Sequence, residues 1–255
     1  MNKIIIIVFL LISSCVLLKD KRKCVDYDER RIVKNNVKID NIVIKKSTFD
    51  ITINERKNLS SKCIINLNKR KGIVISLIPY VNFEAFRIFL DGNNLKIVDR
   101  ESKKIYEKNI FENNGISRVE LNKIYCSILL NNYYRKYKYV ANITDNNEKY
   151  SEWIKNITDE ERAYIYIDRR YYKIKEIYYA GKNMSLLINY KTYSGSDIKI
   201  CDQINIELKK GDTKLNIKLK IDDYEEKKEG DNIYLIPKSY NKIDNIDLDE
   251  FLEKL

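Results

Sequence analysis

Apolar positions along most of the chain recur at every second residue. Leu215, Ile217, Leu219 and Ile221 alternate with Lys214, Asn216, Lys218 and Lys220, so a strand over 213–221 turns one face to a core and the other to water. Ile204, Ile206 and Leu208 repeat the pattern within 203–209, and Gly211-Asp212 between the two runs marks a hairpin. Runs of the same kind, rich in β-branched residues, predict strands over 41–54, 59–68, 71–78, 84–90, 95–100 and 104–109. A second series follows over 163–168, 171–179 and 184–193, with a last short strand at 232–236 stopped by Pro237. Within 84–90, Phe86, Ile88 and Leu90 share one face while Ala85, Arg87 and Phe89 share the other, and Asp91-Gly92 supplies the turn that follows.

The period changes at residues 117–131. Leu121, Ile124, Tyr125, Ile128 and Leu129 fall at helical spacing, and Ser117 with Glu120 forms a capping box. A shorter helix is predicted over 26–36, and residues 133–147 read as a polar, Tyr-rich connection without a clear period. Together these elements predict a mainly β, α+β fold: a strongly curved antiparallel sheet of about ten or eleven strands with a helix inserted midway. No internal repeat or low-complexity linker divides it, so residues 26–255 are expected to form one domain.

The N-terminus follows different rules. Lys3 precedes Ile4 to Ile12, nine apolar residues, which is far short of the ~20 that a helix needs to span a bilayer. Residues 1–14 therefore read as a signal peptide. Its end, Ile12-Ser13-Ser14-Cys15, resembles the bacterial lipobox, which implies acylation of Cys15 and cleavage before it. Each buried acyl methylene contributes ~0.8 kcal/mol, so two or three chains hold a protein durably at a membrane. Residues 15–25, with Lys19, Lys21, Arg22 and Lys23, read as the tether. The expected location is the cell envelope, lipid-anchored at the outer membrane and facing the periplasm, with membrane lipid as the first partner.

Composition narrows the chemistry. The chain is 44% hydrophobic and 33% charged, with 20 Tyr but only 7 Gly and 2 Pro, as for a folded domain. The net charge of +11 is spread along the chain and accompanies an Ile-, Asn-, Lys- and Tyr-rich composition that an A/T-rich genome imposes, so nucleic acid is not an expected partner. The absence of His removes the commonest general base and most zinc sites. Asp159, Glu160 and Glu161, or Asp222 and Asp223, are adjacent and point different ways, unlike a glycosidase pair. No enzyme activity, cofactor or metal is expected. Cys24, Cys63, Cys126 and Cys201 show no metal-like spacing and leave two readings open, disulfides or free buried thiols.

Residues 71–132 carry a further pattern: strand 73–78, Pro79, Glu84 and Arg87, Asp91-Gly92, then Ile97 with Asp99 and Arg100, Tyr106, and the helix after Ser117. This order resembles a family of outer-membrane lipoproteins related to LolA and LolB, the carrier and receptor of lipoproteins, and the closing stretch Tyr234 to Tyr240 is similar to that family's end. The resemblance implies an incomplete, curved half-barrel whose apolar concave side is covered by a helical lid and holds acyl chains. It further implies a membrane-inserting loop at Pro79, Tyr80, Val81 and Phe83; the other reading is that these side chains fold back on the core. Asn82 stands where the family usually has Gly, and Asn still tolerates the left-handed region. Leu121, Ile124, Ile128 and Leu129 would line a lid over a lipid cavity or over an ordinary core. Glu84 and Arg87 would latch that lid or pair with each other. The function implied is a LolB-like receptor or inserter of lipoproteins, supplied by a periplasmic carrier. The alternative is an accessory envelope lipoprotein with a filled core.

Overall fold

The computed structural model describes residues 27–36, 40–79, 83–92, 94–109, 118–132, 137–145, 148–156, 161–191, 200–227 and 239–243. Helix α1 (Tyr27–Lys34) leads into a meander of β1 (Asn41–Ile53), β2 (Arg56–Asn68), β3 (Gly72–Ile78), β4 (Phe86–Asp91), β5 (Asn94–Asp99) and β6 (Lys104–Asn109). After helix α2 (Arg118–Leu129) a second meander runs through β7 (Lys138–Asp145), β8 (Glu148–Asn156), β9 (Arg162–Asp168) and β10 (Lys173–Gly181). It continues as β11 (Met184–Tyr190), β12 (Gln203–Lys210) and β13 (Thr213–Glu226), and β14 (Asn241–Ile243) follows.

All of these strands join one curved sheet in the order β14-β6-β5-β4-β3-β2-β1-β13-β12-β11-β10-β9-β8-β7. The first meander grows outward from β1, and the second begins at the far edge and returns until β13 lies antiparallel beside β1, from Ile42 opposite Glu226 to Ile53 opposite Leu215. The chain must therefore cross from one end of the sheet to the other between β6 and β7. Helix α2 lies on that crossing. β14 adds to the β6 edge in parallel.

One face of the sheet is the inner face, where Ile65, Leu77, Leu95, Ile97, Ile165, Ile188, Ile204 and Leu219 meet in a single apolar cluster with Ile32 of α1, Tyr125 and Cys126 of α2, and Leu130 just after it. The alternation expected over 84–90 holds for Phe86, Ile88 and Leu90, which join this cluster. Their opposite face is not open to water: Phe89 packs with Val74, Val98 and Ile105 in a second, smaller cluster on the outer face, against which Tyr240 lies. In β1 a bulge between Ile44 and Ser47 interrupts the pairing to both neighbours. It changes the inner-facing set from Ile42 and Ile44 to Phe49, Ile51 and Ile53, and bends the central strand.

The expectation of ten or eleven strands is corrected to fourteen among the described residues. β7 and β8 account for most of the difference: β7 runs through the polar stretch that had no legible period, and β8 follows directly after it. A bulge between Tyr139 and Ala141 breaks what alternation β7 has, and Trp153 of β8 is buried with its ring edge-on to Tyr139 at 5.5 Å. The strand expected at 232–236 lies outside the described residues, as do the signal peptide, Cys15, the tether and Cys24. Cys63, Cys126 and Cys201 are buried free thiols, which overturns the disulfide reading for those three. Burial pushes the Cys63 and Cys201 thiols up to about 11 and Cys126 up to about 12, so all three stay protonated and unreactive at neutral pH. Among the described residues, no helix is long and apolar enough to cross a membrane.

Candidate functional site

The inner face and α2 form the candidate site. The helix starts against the hairpins of the first meander. Arg118 donates from Nε to Asp91 at 2.6 Å, and the Asn122 amide accepts from the Gly92 N–H at 2.7 Å. The same amide donates to the Arg70 carbonyl and to Asp91, both at 3.0 Å, while the Tyr125 hydroxyl donates to the Gly92 carbonyl at 2.9 Å. Gly92 has φ +55°, and a Cβ there would stand 2.7 Å from Arg118 Cγ, so the close approach of helix and turn depends on glycine.

The other end of the helix meets the second meander. Tyr190 of β11 donates its hydroxyl to the Ile128 carbonyl at 3.0 Å, and Asn131, in the left-handed region at φ 51°, donates to the Ile174 carbonyl of β10 at 2.8 Å. The Ile128 carbonyl also accepts from the Asn131 N–H at 3.1 Å, so the Tyr190 hydroxyl is its second donor. Helix α2 therefore touches both halves of the sheet. Ile128 and Leu129 are half-buried against the inner cluster. Leu121 and Ile124 lie in the helix, but their side chains fall outside the described residues, as does Ser117 of the expected capping box.

The loop after β3 is described only in part. Pro79 is partly exposed and Phe83 is 46% exposed, an unusual setting for a phenyl ring, whereas Tyr80, Val81 and Asn82 lie outside the described residues. Glu84 grips Arg87 with both oxygens, at 2.5 and 2.6 Å, and also accepts from Arg100 Nε at 2.9 Å. Of the two arrangements that the sequence left open, the mutual pair is the one present. Burial pushes the Glu84 carboxyl up, but hydrogen bonds from Arg87 and Ser76 and the charges of Arg87 and Arg100 outweigh it and hold the group below its usual value. Asp99 caps the β5–β6 turn by accepting from the N–H groups of Glu101 and Ser102.

Reasoning from sequence missed Asn122, Asn131 and Tyr190. The only visible trace was Asn122, a polar residue in mid-helix beside an apolar stripe, where an unpaired amide is unfavourable unless the fold supplies partners.

No family model matches the chain, and no curated protein matches it. Solved structures do. A LolA superfamily protein from Nitrosomonas europaea aligns with a TM-score of 0.54 at 10% identity, covering 81% of this chain and 97% of that one. The fold is LolA-like. An outer-membrane lipoprotein-sorting protein domain from Vibrio parahaemolyticus aligns with a TM-score of 0.50 at 7% identity, covering 80% of this chain and 93% of that one. The LolA-like architecture thus spans most of the chain, including the curved sheet that the resemblance over 71–132 implied.

Proposed function

We propose that this LolA-like protein is a LolB-type acyl-chain receptor, anchored through Cys15 at the outer membrane and facing the periplasm, which accepts lipoproteins from a soluble carrier and passes them into the membrane without covalent chemistry. The observation that carries the proposal is the bridging of the apolar inner face by α2. The first meander holds the start of the helix through Arg118, Asn122 and Tyr125, while the second holds its end by the Tyr190 and Asn131 bonds. That asymmetry makes the start a hinge and the end a latch. Each hydrogen bond is worth about 1 kcal/mol net, so releasing the two at the end costs about 2 kcal/mol, and exposing buried Cys126 and Leu130 with half-buried Ile128 and Leu129 adds roughly 5 more. An acyl chain that buries ~12 methylenes at ~0.8 kcal/mol each, about 10 kcal/mol, offsets this. Phe83, exposed at the loop after β3, is a contact for the receiving membrane.

A second reading keeps the fold and drops the cargo: an accessory envelope lipoprotein whose inner face is already filled by Tyr125, Cys126 and Leu130. Native mass spectrometry of the full chain carrying Cys15→Ser, mixed with a triacylated lipopeptide and with the same peptide without acyl chains, separates the two. The receptor reading expects one-to-one binding that requires the acyl chains. It also expects Tyr190→Phe, which unlatches the helix, to tighten binding about fivefold, the equivalent of about 1 kcal/mol. Absence of binding by protein with native near-ultraviolet circular dichroism supports the accessory reading. Anchoring is tested by labelling with palmitate: Cys15→Ser should abolish the label and move the protein out of the membrane fraction.

A further inference from the structure

One end of the sheet gathers features that neither the inner face nor the Phe83 loop uses. Helix α1 is tied there to the β9–β10 turn: Arg31 donates to the Tyr172 hydroxyl at 2.7 Å, and the Asn35 amide donates to the Tyr171 carbonyl at 2.9 Å. The segment after α1 meets the β2–β3 turn, where the Lys69 N–H donates to the Asp40 carbonyl at 3.2 Å. That turn is Lys69-Arg70-Lys71, and the Asn68 side chain braces it by accepting from the N–H groups of Arg70 and Lys71 at 2.8 and 2.7 Å. The β9–β10 turn is Arg169-Arg170-Tyr171-Tyr172. Neither turn contains an acid, whereas at the Phe83 end the tips of β1–β2, β5–β6 and β12–β13 include Glu55, Glu101 and Asp212. Some of the cations are already bridged, Lys69 to Asp40 and Arg170 to Asp168. The excess does not depend on which of them pair: over residues 27–40, 69–71, 145–149, 168–172 and 225–227, which meet at this end, eleven Lys and Arg stand against eight Asp and Glu. At the tip Tyr171 is 45% exposed, with the Arg170 guanidinium 5.5 Å from its ring centre. An amphipathic ring among cations suits the boundary between lipid and water.

We infer that this rim, formed by α1 and the β2–β3 and β9–β10 turns, docks on the anionic headgroups of the membrane that holds the protein. The inference rests on the anchoring through Cys15 proposed above. Residues 16–26 join that anchor to α1, and a stretch of that length spans at most about 40 Å. Such a tether lets the domain turn either end to the bilayer, so the surface chooses. Because the tether also keeps the rim at a high effective concentration near the lipid, a small excess of charge is enough. Each cation held at an anionic surface raises partition about fivefold. β3 runs from the rim at Gly72 to the Phe83 loop after Ile78. Rim docking and contact through the loop are therefore alternative orientations, and the protein without cargo rests on the rim.

The test uses the full chain carrying Cys15→Ser, without cargo, on vesicles of phosphatidylcholine with and without phosphatidylglycerol. The apolar leader binds both kinds alike and cancels in the ratio of the two partition constants. That ratio should favour the anionic vesicles in low salt and fall to one in high salt. Lys34→Gln with Arg70→Gln, both exposed, should lower it about 20-fold. Lys62→Gln with Lys218→Gln removes the same charge from exposed positions on the outer face and should leave it within about twofold. Brominated phosphatidylglycerol then identifies the docked end. The new indole of Tyr171→Trp should be quenched and that of Phe83→Trp should not, with buried Trp153 as a constant background. Quenching of Phe83→Trp in place of Tyr171→Trp, equal ratios for the two charge variants, or no preference of the folded protein for anionic vesicles each overturns the assignment. Failure of the anchoring itself shows instead in the palmitate labelling, and failure of the receptor reading in the lipopeptide titration.

Discussion

The two meanders of the sheet are built differently. The first, β1 to β6, has its inner residues in the main cluster and, from β3 to β6, is buried on both faces, since Val74, Phe89, Val98 and Ile105 form a second core on the outer face. The second, β7 to β13, packs on its inner face, and its outer face carries amphipathic and charged side chains. There Tyr164 stacks on Tyr178 with centroids 6.2 Å apart, the Lys175 ammonium sits 4.5 Å from the centre of the Tyr150 ring, and the Tyr166 hydroxyl meets Glu152 at 3.3 Å. Contacts of this kind each contribute at most about 1 kcal/mol at partly exposed sites, less than a buried aliphatic side chain. The difference teaches that the first meander is a scaffold able to hold the start of α2, while the second depends on the inner cluster that the end of the helix helps to close. Opening of the inner face is therefore expected to loosen β10 and β11 before β3 and β4.

The sharpest way to break this comparison is to place a charge on the outer face of each half. Val98 is fully buried there, and Val98→Asp strands a carboxylate in an apolar cluster, with an expected loss of at least about 4 kcal/mol or outright failure to fold. Lys218→Asp, on the exposed outer side of β13 and opposite Asp50 of β1, should cost no more than about 1 kcal/mol. Urea unfolding of the two variants measures both, and similar losses would refute the idea of a two-sided first half.

A smaller effect comes from the second half itself. Lys173 at the start of β10 is 4% exposed, its ammonium has no hydrogen-bond partner among the described residues, and burial pulls its pKa down to about 8. The folded protein therefore releases this proton before the unfolded chain does. Between pH 8 and the ordinary lysine value of 10.5 the unfolded state binds more protons, so stability rises with pH through that window. Below pH 8 the penalty is fully present, about 3 kcal/mol by the size of the shift. Cys63 and Cys201, raised to about 11, act in the opposite sense above pH 9 and confine the visible rise to pH 8–9. Lys173→Met should raise stability at pH 7 by about 2 to 3 kcal/mol and flatten the profile between pH 7 and 9, as followed by thermal unfolding.

The smallest expected difference isolates the helix contact. Gly92 and Gly211 turn hairpins in opposite halves at nearly the same φ, +55° and +54°, but a Cβ on Gly211 would meet nothing while one on Gly92 would press on Arg118. Gly211→Ala should cost about 1 kcal/mol for the left-handed conformation alone, and Gly92→Ala about 1 kcal/mol more. Hydrogen exchange of α2 should quicken only in the Gly92 variant; equal exchange in both would mean that the helix does not rest on that turn.

Most of the strands and the inserted helix were legible because periodicity is a local property: a run such as Leu215 to Ile221 displays its buried face within one strand. For the same reason, the alternation showed which side chains accompany Phe89 but not that the side is buried, because Tyr240, which lies against its cluster, comes from the far end of the chain. β7 and β8 stayed hidden because a bulge, Asn, Lys and Glu blur the period at a sheet edge where one-sided packing asks little of the sequence. In the candidate site, Ile128 and Leu129 were visible as part of a stripe, whereas Asn122, Asn131 and Tyr190 gained meaning only from partners 30 to 62 residues away. By itself, then, the sequence determined most of the strands, their turns and the amphipathic helix. The pairing of β1 with β13 decided the rest: it set the two meanders side by side and sent the connecting helix across the inner face, because such contacts join residues whose neighbours in the chain carry no trace of each other.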